Sequence, residues 1–89
     1  MKKVKFSPGF FSGITLILDG DYVKYVNGAK LSEQGSVPIK SIKSVTVEPV
    51  SNKDTAVKFI GEGTSLGYFT TGISYAQKCQ MWLTEQLNF

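Results

Sequence analysis

The sequence contains no histidine and no arginine, and all ten of its basic residues are lysine. Without histidine there is no Ser–His or Cys–His pair and no imidazole ligand, which removes the commonest activated nucleophiles and His-ligated metal sites. Without arginine the chain lacks the planar fork that reads phosphate, carboxylate or guanine in a bidentate way. Cysteine is nearly absent too. Cys79 stands alone, so it can form neither an internal disulfide nor a thiolate-only zinc site. Secreted domains of this size rely on several bridges, so a reducing, cytoplasmic setting is expected. Long apolar runs are missing as well. The longest, Ile14 to Leu18, falls far short of the ~20 residues a membrane span requires. Met1-Lys2-Lys3 imitates the start of a signal peptide, but Lys5, Ser7-Pro8-Gly9 and Ser12-Gly13 interrupt the pattern.

What remains is ordinary globular material. The 89 residues suit one domain over 1–89, with a modest core that forms without metals or bridges. Six Phe, four Tyr and one Trp supply packing, and a net charge of +3 gives only weak, salt-sensitive attraction to anions.

The first seventy residues alternate short β-type runs with turn signals, the pattern of an antiparallel meander. Lys2 to Phe6 reads as a first strand and Ile14 to Leu18 as a second. Asp19-Gly20 then turns the chain into Asp21 to Val26, since both residues tolerate positive φ. Asn27-Gly28 repeats the signal before Ala29 to Glu33, and Gln34-Gly35 is expected to turn the chain again. Pro38 opens a short turn with Ile39 and Ile42 on one side, after which Val45 and Val47 restart a two-residue period. Pro49 and Ser51-Asn52-Lys53-Asp54 end that strand. Thr55 to Ile60 is expected to pair with Ser65 to Thr70 through Gly61-Glu62-Gly63.

From Thr71 the period changes. Ile73, Ala76, Cys79, Leu83 and Leu87 share one arc at 100° per residue, with Tyr75 and Trp82 on its flank. This predicts one amphipathic helix over 73–88, laid on the strands. Ser74 with Gln77 fits a capping box, and Thr71 is the other candidate cap. The fold class is therefore mainly β, an antiparallel meander or partly open barrel within 2–70, with one C-terminal α-helix.

Two segments sharpen that layout. Val37-Pro38-Ile39-Lys40-Ser41-Ile42-Lys43-Ser44-Val45 resembles the proline-turn-strand segment of small bacterial pleckstrin-homology (PH)-like domains. Ala76 to Leu87, with Met81-Trp82-Leu83, is similar to the PH C-terminal helix, and Tyr68-Phe69 fits the last strand. The resemblance covers residues 13–88. It implies a tryptophan packed over the end of the barrel and a scaffold for protein contacts or self-association. In PH-like folds of the phosphotyrosine-binding type, extended peptides add between a sheet edge and this helix. By that likeness Tyr68, Phe69, Tyr75 and Met81 border a partner groove. Phosphoinositide-binding relatives carry basic residues in the first hairpin. Here Ser7 to Gly13 holds Phe10 and Phe11 and no lysine, which counts against inositol-lipid binding.

Other chemistry reads as structure. Asp19 and Asp21 around Gly20 fit a turn better than a cation loop, because no bidentate Glu follows at the required spacing. Gly61-Glu62-Gly63 lacks the Gly-Lys-Ser/Thr of a phosphate cradle. Cys79 falls on the buried arc, and neither a metal nor a cofactor is expected.

Binding is the function the residues leave open. Phe6, Phe10 and Phe11 around Pro8-Gly9 form one candidate contact, as either an interface patch or a plug for an open barrel end. Lys2, Lys3 and Lys5, with Lys40 and Lys43, form a candidate anion-binding set. Tyr22 and Lys24 on one strand face keep nucleic acid in view. The expected function is a non-enzymatic protein-binding adaptor or inhibitor, of the kind phages and mobile elements encode. The alternative is a weak lysine-driven binder of nucleic acid or anionic membrane surfaces.

Overall fold

A computed structural model describes residues 3–9, 12–27 and 33–87. The elements run β1 (Lys3–Phe6), β2 (Ile14–Asp19), β3 (Tyr22–Asn27), β4 (Glu33–Pro38), β5 (Ser44–Pro49), β6 (Thr55–Gly61), β7 (Thr64–Thr71) and α1 (Ile73–Leu87). The chain is mainly β with one C-terminal helix, as its periodicity predicts. Every ladder is antiparallel and joins consecutive strands. The strands separate into two sheets, β1-β2-β3-β4 and β5-β6-β7. Instead of a barrel, the two sheets stay unjoined, with no ladder between β4 and β7 among the described residues.

Turn chemistry explains most boundaries, shifted by a residue in places. Asp19 pairs with Tyr22, so the first tight turn is Gly20-Asp21 rather than Asp19-Gly20. Gly20 supplies the positive φ, 61°, that such a turn requires. Gly61 pairs with Thr64, which narrows the last turn to Glu62-Gly63, with Gly63 at φ 83°. Pro38 lies at φ −64° before a 3-10 turn over Ile39–Ser41, the short turn that its fixed ring geometry favours.

The second hairpin departs from expectation. Gln34-Gly35 lies inside β4, and Gly35 pairs with Tyr25 across a ladder that bulges between Tyr25 and Val26. The reason is steric. A Cβ on Gly35 would collide with the Tyr25 hydroxyl and come within 2.5 Å of Cζ. Glycine is there to admit a ring, not to turn the chain. Residues 28–32, which contain most of the strand expected at Ala29 to Glu33, lie outside the described residues.

The core gathers one face of each sheet. Leu16, Val23, Tyr25 and Val37 come from the first, and Val45, Val57, Phe59 and Phe69 from the second. Full burial is worth about 1.5–3 kcal/mol for each of the larger side chains. Tyr25 stacks on Phe59 (ring centroids 5.7 Å apart) and tilts against Phe69 (5.5 Å), so its ring ties the two sheets.

Helix α1 buries Ala76, Cys79 and Leu83 and half-buries Leu87. Ile73, placed on the same arc by periodicity, is 59% exposed. It opens the helix on the margin of the arc, about 80° from its centre. The helix starts directly after Gly72, whose carbonyl accepts the Ala76 N–H at 2.8 Å. Ser74 therefore lies inside the first turn and does not open a capping box. Thr71 is not the cap either, because its hydroxyl donates to the Ser12 carbonyl at 2.9 Å.

Candidate functional surfaces

The sequence-derived candidates disperse over the molecule. Phe10, Phe11 and Lys2 lie outside the described residues. Phe6, grouped with them as a contact residue, turns inward and stacks on Trp82, centroids 4.9 Å apart and planes 9° from parallel. Trp82 thus binds the helix to β1. Of the groove set, Phe69 is fully buried and Tyr75 half-buried. The Tyr75 ring lies against Gly9 and Gly72, where a Cβ at Gly72 would come 3.2 Å from Cδ2. Tyr68 is 59% exposed and borders a cleft of about 400 Å³ with Tyr25, Gly67, Phe69 and Thr70, none of them a helix residue. Met81, 72% exposed, projects from α1. None of the clefts described here is lined by all four side chains.

The lysines separate into two places. Lys40, inside the 3-10 turn, and Lys43, two residues after it, border a cleft of about 330 Å³ with Ser41, Gly61 and Leu66. Glu62, exposed, stands 3.9 Å from Lys43 there. Lys3 and Lys5 share the outer face of β1. Across the sheet Lys5 opposes Ile17, which opposes Lys24, while Lys3 opposes Asp19, which opposes Tyr22. Asp19 receives Lys24 at 3.1 Å and Lys3 at 3.8 Å. The Lys24 hydrogen bond, aided by both lysine charges, holds its carboxyl below the usual range. Among the described residues no three His, Cys, Asp or Glu stand together as a metal site.

The inner side of β1 carries a feature that composition alone did not suggest. Val4, 40% exposed, borders a cleft of about 480 Å³ with Leu18, Ile39 and Leu87. The signal was present in Lys3-Val4-Lys5-Phe6, whose alternation puts lysines on one face and apolar groups on the other. What the sequence could not supply is the far wall, which comes from the end of the helix.

Four sheet edges remain to be compared. On β5 the Val45 carbonyl accepts the Gln80 side-chain amide of α1 at 2.9 Å. Pro49, at the end of that strand, has no N–H to offer. The edges of β4 and β7 face each other across Tyr25. A Cβ on Gly67 would come 2.8 Å from the Tyr25 hydroxyl and 3.2 Å from Val37. The Tyr68 backbone hydrogen-bonds that hydroxyl, while burial pushes its pKa upward overall. β1 pairs with β2 alone, and Lys3, Val4 and Lys5 are all exposed. Among the described residues it is the edge with neither a second strand nor a facing element.

No helix among the described residues is long and apolar enough to cross a membrane. No family model matches the chain, and the searches of curated proteins and of solved structures found no match.

Proposed function

We propose that this chain is a non-enzymatic binding module with a PH-like layout, which acts by occupying a partner protein at a sheet edge. The observation that carries the reading is β1, an exposed edge strand beside a cleft lined by Leu18, Ile39 and Leu87 with Asp21 and Gln86. Extended peptides join such edges through main-chain hydrogen bonds, and alternate side chains fill adjoining pockets to give specificity. The order of four strands, three strands and one helix supports the PH-like reading, as does the aromatic contact that fastens Trp82 to the first strand. An adaptor and an inhibitor use the same physics and differ only in what the bound partner then fails to do.

A second reading has its own observation. Lys3, Lys5 and Lys24 share the outer face of the first sheet with exposed Tyr22, an arrangement suited to weak contact with nucleic acid or an anionic membrane surface.

Selection of a displayed random-peptide library on the immobilised chain separates the two. The binding-module reading expects peptides that bind saturably, survive raised salt and shift backbone amide signals along one sheet edge. A selection that returns no saturable binder, with single-stranded DNA, RNA or acidic vesicles binding in a steeply salt-dependent way, overturns it.

A further inference from the structure

The open edge also specifies the chemistry of what it receives. We propose that β1 accepts an extended segment of a partner protein in which acidic and apolar residues alternate; this rests on the binding-module reading above. Successive side chains of an added strand fall on opposite faces. Those on the outer face lie beside Lys3 and Lys5, both exposed. Asp19 reaches only Lys3 of this pair, and Lys5 has no acidic partner among the described residues. Carboxylates are the complementary charge there, since opposite charges across neighbouring strands are favourable. Side chains on the inner face fall next to Val4, which also borders the cleft lined by Leu18, Ile39 and Leu87 together with Asp21 and Gln86. Apolar groups suit that site.

The same charges decide against a second copy of this chain as occupant. Pairing β1 with β1 of another molecule sets lysines among lysines, which is unfavourable between neighbouring strands. On the other edges, Gln80 of α1 donates to the Val45 carbonyl of β5, and Tyr25 stands between β4 and β7.

Trp82, the single tryptophan, stacks on Phe6 of the same strand, so its emission reports on this edge. The probe is a capped peptide of about six residues, a typical strand length, alternating glutamate with valine. Titration is expected to give saturable binding with a change in Trp82 emission and amide shifts concentrated in residues 3–6. Lys3→Glu/Lys5→Glu weakens binding by about tenfold or more, the sum of two modest charge pairs lost and reversed. That variant gains affinity for a lysine–valine peptide. Lys3→Gln/Lys5→Gln, which adds no repulsion to Asp19, falls between. N-methylation of alternate peptide amides abolishes binding in every case.

Undiminished affinity of the charge-reversed variant, tight binding of the N-methylated peptide, or amide shifts centred on β5 or β7 each overturn the proposal. If library-selected peptides still bind the charge-reversed variant at another edge, the β1 assignment falls and the binding-module reading stands. If no peptide binds anywhere, both fall.

Discussion

Replacing Gly35 with alanine sets backbone propensity against packing, and the two predict opposite signs. In a strand whose φ alanine can adopt, Gly→Ala stabilises by about 0.4–1 kcal/mol through the unfolded chain. At Gly35 the added methyl enters the Tyr25 phenol, 2.5 Å from Cζ and closer still to the hydroxyl. That ring has little room to yield. Tyr25 is 7% exposed, stacked on Phe59 and tilted against Phe69. Its hydroxyl would already stand 2.8 Å from a Cβ at Gly67. Overpacking of this kind costs about 1–3 kcal/mol. Displacing the hydroxyl from the Tyr68 backbone adds about 1 kcal/mol. After the entropic gain is subtracted, a net loss of about 1–3.5 kcal/mol is expected, or a fall of roughly 5–20 °C in Tm for a domain of this size. Urea unfolding followed by Trp82 emission measures it, with an unchanged m-value showing that the unfolded state is the same. Tyr25→Phe removes the nearest atom, so the double variant is expected to cost less than the sum of the singles by about 1 kcal/mol. A Gly35→Ala protein as stable as the parent, or more stable, refutes the reasoning.

Burial pushes the Cys79 thiol up to about 12, so a disulfide reagent at neutral pH is expected to label it only as fast as the molecule opens, and at once in denaturant. Above the ordinary thiol pKa the unfolded chain loses this proton while the folded one keeps it. The Cys79 contribution to stability therefore falls as pH rises from about 9 toward 12, by up to ~1.4 kcal/mol per pH unit. The difference between parent and Cys79→Ala in urea melts along that pH range isolates it, and a constant difference contradicts the burial argument. Phe6→Ala is expected to red-shift Trp82 emission and cost about 1.5–3 kcal/mol, the lower part of the range for a large aromatic because Phe6 is only half-buried. Unchanged emission would mean that the stack does not hold β1.

The sequence made legible whatever is decided within a few residues. Gly20, Pro38 and Gly63 mark turns because their backbone preferences are local, and the alternation of Val45 with Val47 or Val57 with Phe59 places one face inward. The rest required knowledge of the opposite wall. Gly35 carries a turn signal in isolation, and only the ring on β3 makes it a strand residue. Ile73 sits at the margin of the helical arc and is exposed, while Ala76 one turn on is fully buried. Phe6 belongs by sequence with Phe10 and Phe11, and only its distance to Trp82 assigns it to packing. The candidate edge was half legible. Lys3 and Lys5 on one face of β1 could be read directly, whereas the helix-lined cleft behind Val4 could not.

Because each sheet is built from consecutive strands, the first is complete in the chain before the second begins. On a ribosome adding about 5–20 residues per second, residues 39–87, which carry the second sheet and the helix, take several seconds to follow. During that interval Leu16, Val23 and Val37 form a ready-made apolar face with nothing yet to cover it. Tyr25 waits as well, until Phe59, Phe69 and the helix arrive. The period of greatest risk falls between the appearance of the first sheet and that of the second, when holdase chaperones or the speed of translation through the later strands would decide how much of it reaches the folded state.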